Sequence, residues 1–230
     1  LRPHDRRAAV SDQPATPLDQ LEALAVQEQE IDDGLTQIEI YTMSGLLGLW
    51  WHGPRDAERV VLACGGAMGG TLGPGRLFHR LGRTLTGEGI GTIRIDYRLP
   101  NDLPACTHDA AAAADWAARQ GARRMVAMGH SFGGAVAIRL AVALDEHCVG
   151  VVTFATQSAG CEPADQLGET PLLLIHGSRD ELLPVRASEM VRFLADHGEL
   201  EVIDGAGHLF DGHGDDLHDR VGSWLGSVWD

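Results

Sequence analysis

The chain has 230 residues, 44% of them hydrophobic, enough to bury a core and form one large domain. A net charge of −15 argues against nucleic acid, whose phosphates would be repelled, and no apolar run reaches the ~18 residues of a membrane span. All 18 basic residues are arginines, so Schiff-base lysines, a pyridoxal phosphate anchor and a Walker-type phosphate loop are excluded.

Residues 1–18 are polar and Pro-containing and read as a flexible arm. No apolar segment follows Arg2, Arg6 and Arg7, so no intact signal peptide is present and a cytoplasmic location is expected; the Leu1 start leaves earlier trimming open. Residues 18–31, LDQLEALAVQEQEI, place apolar residues at helical spacing and predict a short acidic helix. The expected division is therefore an arm and helix over 1–34 and a main domain over 35–230. LTQIEIYTM and LLGLWWH, parted at Ser44-Gly45, predict a hairpin. Strands then follow at 59–64, 91–97, 124–130, 150–155, 171–176 and 200–204, alternating with helices near 75–87, 107–120, 132–145, 185–197 and 213–228. Apolar strands separated by helices imply a mostly parallel, eight-stranded sheet covered on both faces.

The strand RMVAMGH runs into GHSFGG and then an apolar helix. That is G-x-S-x-G at a strand-to-helix turn, where a serine is strained outward and its neighbours two before and two after must be tiny. The pattern is cheap in a Gly-rich chain, but this context makes Ser131 the candidate nucleophile. A serine needs a histidine to take its proton, and the histidine a carboxylate to fix its tautomer. Asp180 lies four residues beyond the strand PLLLIH, and His208 four residues beyond LEVID, giving the chain order Ser, Asp, His. Asp180 alone could be a helix cap; Asp165 is the serious rival for the acid and Asp96 a weaker one. His130 is expected to point away from Ser131, and His176 to be a packed, hydrogen-bonded strand-end residue.

Acyl transfer also needs two N–H groups aimed at the developing oxyanion. Phe132 supplies one by position, and Gly66 or Ala67 in the loop GGAMGGTLGPG the other, with Met68 and Leu209 lining an apolar substrate pocket. The same loop followed by Asp96 mimics a dinucleotide-binding unit, but Pro74 and Gly75 delay the helix that would meet the phosphates. The four cysteines lack CxxC spacing and read as buried hydrophobes, not as a zinc site. His208, His213 and His218 sit five apart among acids, a spacing that stacks nothing on one helix face. No metal or cofactor is expected.

From about 36 to 228 the chain resembles the α/β-hydrolase superfamily, through the 65–70 loop, IDYR (95–98), GHSFGG, HGSRDELLP (176–184) and GAGHLF (205–210). Within it, the small dienelactone-hydrolase-like and carboxylesterase groups are most similar. The chain departs from dienelactone hydrolase in having a serine rather than a cysteine at 131. It departs from the common His-Gly opening of the oxyanion loop in having Cys64-Gly65. The resemblance implies a serine hydrolase of small carboxylic esters. Acyltransferases, thioesterases and lyases use the same triad, and a non-catalytic binding protein is the remaining alternative. The 15 residues Thr156–Thr170, where such folds insert a cap, are too few and too polar for one. A small-molecule acyl substrate is the expected partner, and homo-oligomerisation is left open.

Overall fold

A computed structural model describes residues 14–229; the expected arm lies outside these for residues 1–13. Nine strands form one sheet: β1 (Ala25–Asp32), β2 (Leu35–Thr42), β3 (Gly45–His52), β4 (Arg59–Cys64), β5 (Gly91–Asp96), β6 (Arg124–His130), β7 (Cys148–Phe154), β8 (Leu172–Gly177) and β9 (Glu199–Ile203). Their order is β1-β2-β3-β5-β4-β6-β7-β8-β9. The first three strands and the β3–β5 pair are antiparallel, and everything from β5 to β9 is parallel.

The expected eight strands become nine because the segment 18–31 is not a helix. Only a 3₁₀ turn, Asp19–Leu21, precedes β1, and β1 pairs antiparallel with β2. All eight β1 residues are exposed, so side-chain burial does not choose its conformation. The backbone ladder with β2 does, closed by the two residues Asp33-Gly34, with Gly34 at φ 70°, a conformation glycine adopts without strain. Glu28, Glu30 and Asp32 place charge along this sheet edge, which discourages further pairing.

Helices α2 (Leu103–Gln120), α3 (Phe132–Leu144) and α4 (Arg186–Ala195) cover one face; α1 (Leu77–Thr86) and α5 (Gly214–Trp229) cover the other. Strands β4 and β8 are buried along almost their whole length, as strands covered on both faces must be. Between β7 and β8 the chain makes only a 3₁₀ turn, Glu162–Gln166, with Cys161, Ala164 and Leu167 buried in the α3–α4 side of the core. Among the described residues there is no cap domain. Among the described residues no helix is long and apolar enough to cross a membrane. All four cysteines are free and buried.

The strand order reverses at β4, whose neighbours are β5 and β6, and the crevice beyond strand ends at such a point is where open α/β sheets bind ligands. Cys64 stands in register with Gly129, so the Gly-rich loop after β4 emerges beside the turn after β6. Just beyond β5, a buried ion pair fixes the frame: Arg98 Nε donates to Asp109 Oδ1 at 2.6 Å and Arg98 N–H to Oδ2 at 2.9 Å. The same guanidinium reaches Ser44 Oγ at 2.6 Å, joining α2 and the β2–β3 turn to the end of β5. Asp109→Ala strands this guanidinium and is expected to lower the unfolding free energy by about 3–5 kcal/mol. Urea denaturation checks this; a loss under about 1 kcal/mol would show the pair to be dispensable.

Candidate active site

Ser131 is the residue between β6 and α3, with φ 56° and ψ −118°, a region that non-glycine residues adopt only under constraint, at a cost of about 1–3 kcal/mol. The constraint is steric. A Cβ at Gly129 would lie 2.0 Å from Gly133 O, one at Gly133 2.3 Å from the carbonyl oxygens of Cys64 and Gly65, and one at Gly134 2.1 Å from Thr156 Oγ1. The serine hydroxyl does not cap α3 and is free to face outward. Phe132, first residue of the helix, has an N–H without an intrahelical acceptor, at the positive end of the α3 dipole.

Ser131 and His208 line one cavity of about 420 Å³, together with His130, Leu182, Leu209 and the loop from Gly65 to Gly73. Asp180 stands behind His208, its side chain fully buried: Oδ2 accepts from His208 Nδ1 at 2.8 Å, and Oδ1 accepts from Leu182 and Leu183 N–H, both at 2.8 Å. Burial alone would raise the Asp180 carboxyl. Hydrogen bonds from the Leu183 amide, His208 and the Leu182 amide outweigh it and hold the group below the usual carboxylate range. With Nδ1–H committed to Asp180, the Nε2 lone pair of His208 is the one available to take a proton. Ser131 Oγ makes no hydrogen bond among the described residues, a common state of ligand-free sites in which the serine–histidine bond tightens on substrate binding. Asp180 caps the turn at 181–183 and not α4, whose N-cap is Val185. The rival Asp165 is exposed in the 3₁₀ turn and Asp96 is exposed at the end of β5; neither bonds His208.

Gly66 and Ala67 lie at the cavity wall beside the serine, a Cβ at Gly66 falling 3.9 Å from Ser131 Cβ. The loop is pinned by a Gly69 N–H to Gly66 O bond of 2.9 Å and by the buried Arg94, whose Nη1 donates to Thr71 O and Oγ1. Met68 is 96% exposed and Leu209 54%, so both form the rim and not the floor. Leu72 and Leu182 complete an apolar mouth. Cys64, just before the loop, is fully buried and desolvation pushes its thiol to about 12, so it offers no thiolate.

Two histidines acquire contacts that the sequence reading did not foresee. His130 does not turn away from the site: Nε2–H donates to His208 O at 2.9 Å and the two rings lie 4.9 Å apart. Burial lowers it to about 4, so it is a neutral brace at ordinary pH. Glu181 Oε2 accepts from His208 N–H at 3.2 Å, and Gly75 N–H donates to Leu209 O at 2.8 Å. The loop carrying His208 is thus tied down on each side. His176 is packed and hydrogen-bonded as expected, and it also lies 3.2 Å from Asp180 Oδ2. Its place four residues before Asp180, at a strand end, is the signal that could have pointed to the pair.

A model described as the alpha/beta hydrolase family matches residues 76–221, a span that holds Ser131, Asp180 and His208. Among solved structures, the chain is similar to Est1E from Butyrivibrio proteoclasticus, with a TM-score of 0.71 and 17% identity over 84% of this chain and 98% of that one. It is likewise similar to dienelactone hydrolase from Anabaena variabilis ATCC 29413, with a TM-score of 0.70 and 20% identity over 87% and 97% of the two chains. At these identities the likeness is one of fold. No curated protein matches the chain.

The geometry separates the two carboxylates experimentally. Asp180→Asn deprives His208 of its orienting acceptor and is expected to lower kcat for an ester by about 10⁴. Asp165→Asn should leave it within about twofold, as a surface substitution away from the site. Steady-state kinetics of both variants decide it, and the reverse pattern would move the acid to the loop after β7.

Proposed function

The chain belongs to the alpha/beta hydrolase family, and from that premise we propose that it is a serine hydrolase cleaving small, uncharged carboxylic esters through an acyl-enzyme. The observation that carries this reading is a serine at φ 56°, beside a helix N-terminus, sharing a cavity with a histidine whose Nδ1 is bonded to a buried carboxylate. Ser131 Oγ attacks the acyl carbonyl as His208 Nε2 removes its proton. Asp180 keeps the imidazole in the required tautomer and stabilises the imidazolium. The negative oxygen is received by N–H of Phe132 and of Gly66 or Ala67. His208 then returns the proton to the departing alcohol, and water, activated by the same histidine, releases the acid and frees Ser131.

The substrate class follows from the wall of the cavity. Its fourteen lining residues include no arginine, lysine, aspartate or glutamate, and its mouth is Met68, Leu72, Leu182 and Leu209. A substrate carboxylate would be desolvated there without a partner, an unfavourable exchange, whereas an alkyl or aryl group covers exposed apolar surface. The structure of Est1E with ferulic acid bound supports including aromatic acyl groups among the candidates.

Treatment with a fluorophosphonate should add one adduct, found by intact mass and absent in Ser131→Ala; an adduct that persists in the variant would reject Ser131 as nucleophile. The p-nitrophenyl ester of hexanoic acid should exceed the mono-p-nitrophenyl ester of adipic acid, which ends in a carboxylate, by at least about tenfold in kcat/KM, equivalent to about 1.4 kcal/mol. Equal rates, or preference for the charged ester, would overturn the assignment to uncharged substrates while leaving the nucleophile intact.

A further inference from the structure

We infer that His176 is a positioning residue for the carboxylate behind the base, acting from outside the substrate cavity through the turn that carries Asp180. The ring is wholly buried at the end of β8 and touches three partners. Its Nε2 lies 3.0 Å from Leu183 O and 3.2 Å from Asp180 Oδ2. Both are acceptors, so Nε2 carries the hydrogen, aimed at Leu183 O with the carboxylate alongside. Its Nδ1 lies 2.7 Å from Ser188 Oγ on α4, and the buried Ser188 hydroxyl donates to it in the neutral tautomer.

Leu183 faces both ways in this arrangement. Its carbonyl accepts from His176 while its N–H donates to Asp180 Oδ1 at 2.8 Å. One imidazole therefore holds the far end of the 180–183 turn and stands against the oxygen that His208 Nδ1 bonds. Ser188 fixes the ring from α4, so the carboxylate is referenced to the strand and to the helix packed beneath it. Any buried imidazole needs partners for its ring nitrogens; what singles this one out is that its partners are the turn carrying Asp180 and the carboxylate itself. His176 is not part of the cavity wall, so its loss removes no direct contact to substrate.

This role rests on the hydrolase reading, and the experiment keeps the two apart. Wild type, His176→Phe and His176→Gln are each titrated with fluorophosphonate, and ester turnover is expressed per labelled site, so that misfolded protein drops out. His176→Phe should lower kcat about 10- to 100-fold with KM within twofold, the range expected for a slightly misplaced catalytic group. His176→Gln, whose amide N–H reaches toward the same acceptors, should recover most of the loss. In an Asp180→Asn background, His176→Phe should change kcat by less than twofold, because residues acting through one another are not additive. If His176→Phe does not fold, Ser188→Ala serves instead: it frees the ring and should lower kcat in the same direction with KM unchanged. An unchanged kcat per labelled site, a Gln variant no better than Phe, or full additivity with Asp180→Asn would overturn the role of His176. A wild type that neither labels nor hydrolyses esters would overturn the hydrolase reading and this role with it.

Discussion

The close approach of β6 and α3 to the end of β4 is the constraint from which the site follows. Gly129, Gly133 and Gly134 sit where any Cβ would come within 2.4 Å of a neighbouring atom, and the chain turns there with Ser131 at φ 56°. Relaxing that turn would separate the serine from the Gly-rich loop, which reaches it only because Cys64 and Gly129 are in register. The strain of one residue, about 1–3 kcal/mol, is small beside the apolar burial of the strands and helices on either side of it. Packing on both faces of the sheet can therefore hold a conformation that the local sequence alone would abandon.

The second half of the site depends on polar contacts more than on packing. His208 is held from several sides: its ring by Asp180, its carbonyl by His130 and its N–H by Glu181. His130 can do this because burial keeps it neutral, with a single N–H to donate and no charge to repel a protonated base. The carboxylate differs in that it stays ionised although buried, because backbone amides and His208 supply donors. Two neighbouring environments thus favour a neutral imidazole at His130, which braces the loop, and a charged carboxylate at Asp180, which accepts from His208.

Legibility in the sequence tracked how local each determinant is. The Ser131 turn was readable because steric demand translates directly into glycine spacing, and β4 and β6 were readable because strands buried on both faces are continuous apolar runs. Segment 18–31 was misread because its apolar residues fit helical spacing, while the deciding feature is a backbone ladder to β2, a partner outside the window. The Asp33-Gly34 turn was the available signal. Asp180 and Asp165 could not be separated by composition, since what distinguishes them is a 2.8 Å contact with a residue 28 positions on. His130 and His176 were seen as residues but not as parts of the site, for their partners, His208 O and Leu183 O, are backbone atoms that no side-chain pattern announces.

The cavity wall carries no arginine, lysine, aspartate or glutamate; in the proposed function the turn and loop serve acyl transfer and this apolar rim selects among acyl groups. In the proposed function, the N–H groups of Phe132 and of Gly66 or Ala67 receive the oxygen of an acyl group held on Ser131. The most direct test is a crystal structure of the protein after reaction with a fluorophosphonate, whose tetrahedral phosphorus mimics the acyl intermediate. The expected adduct has phosphorus bonded to Ser131 Oγ, with one phosphonyl oxygen about 2.7–3.1 Å from Phe132 N and from Gly66 N or Ala67 N. An adduct on another residue, or a phosphonyl oxygen turned to solvent and away from both amides, would contradict it.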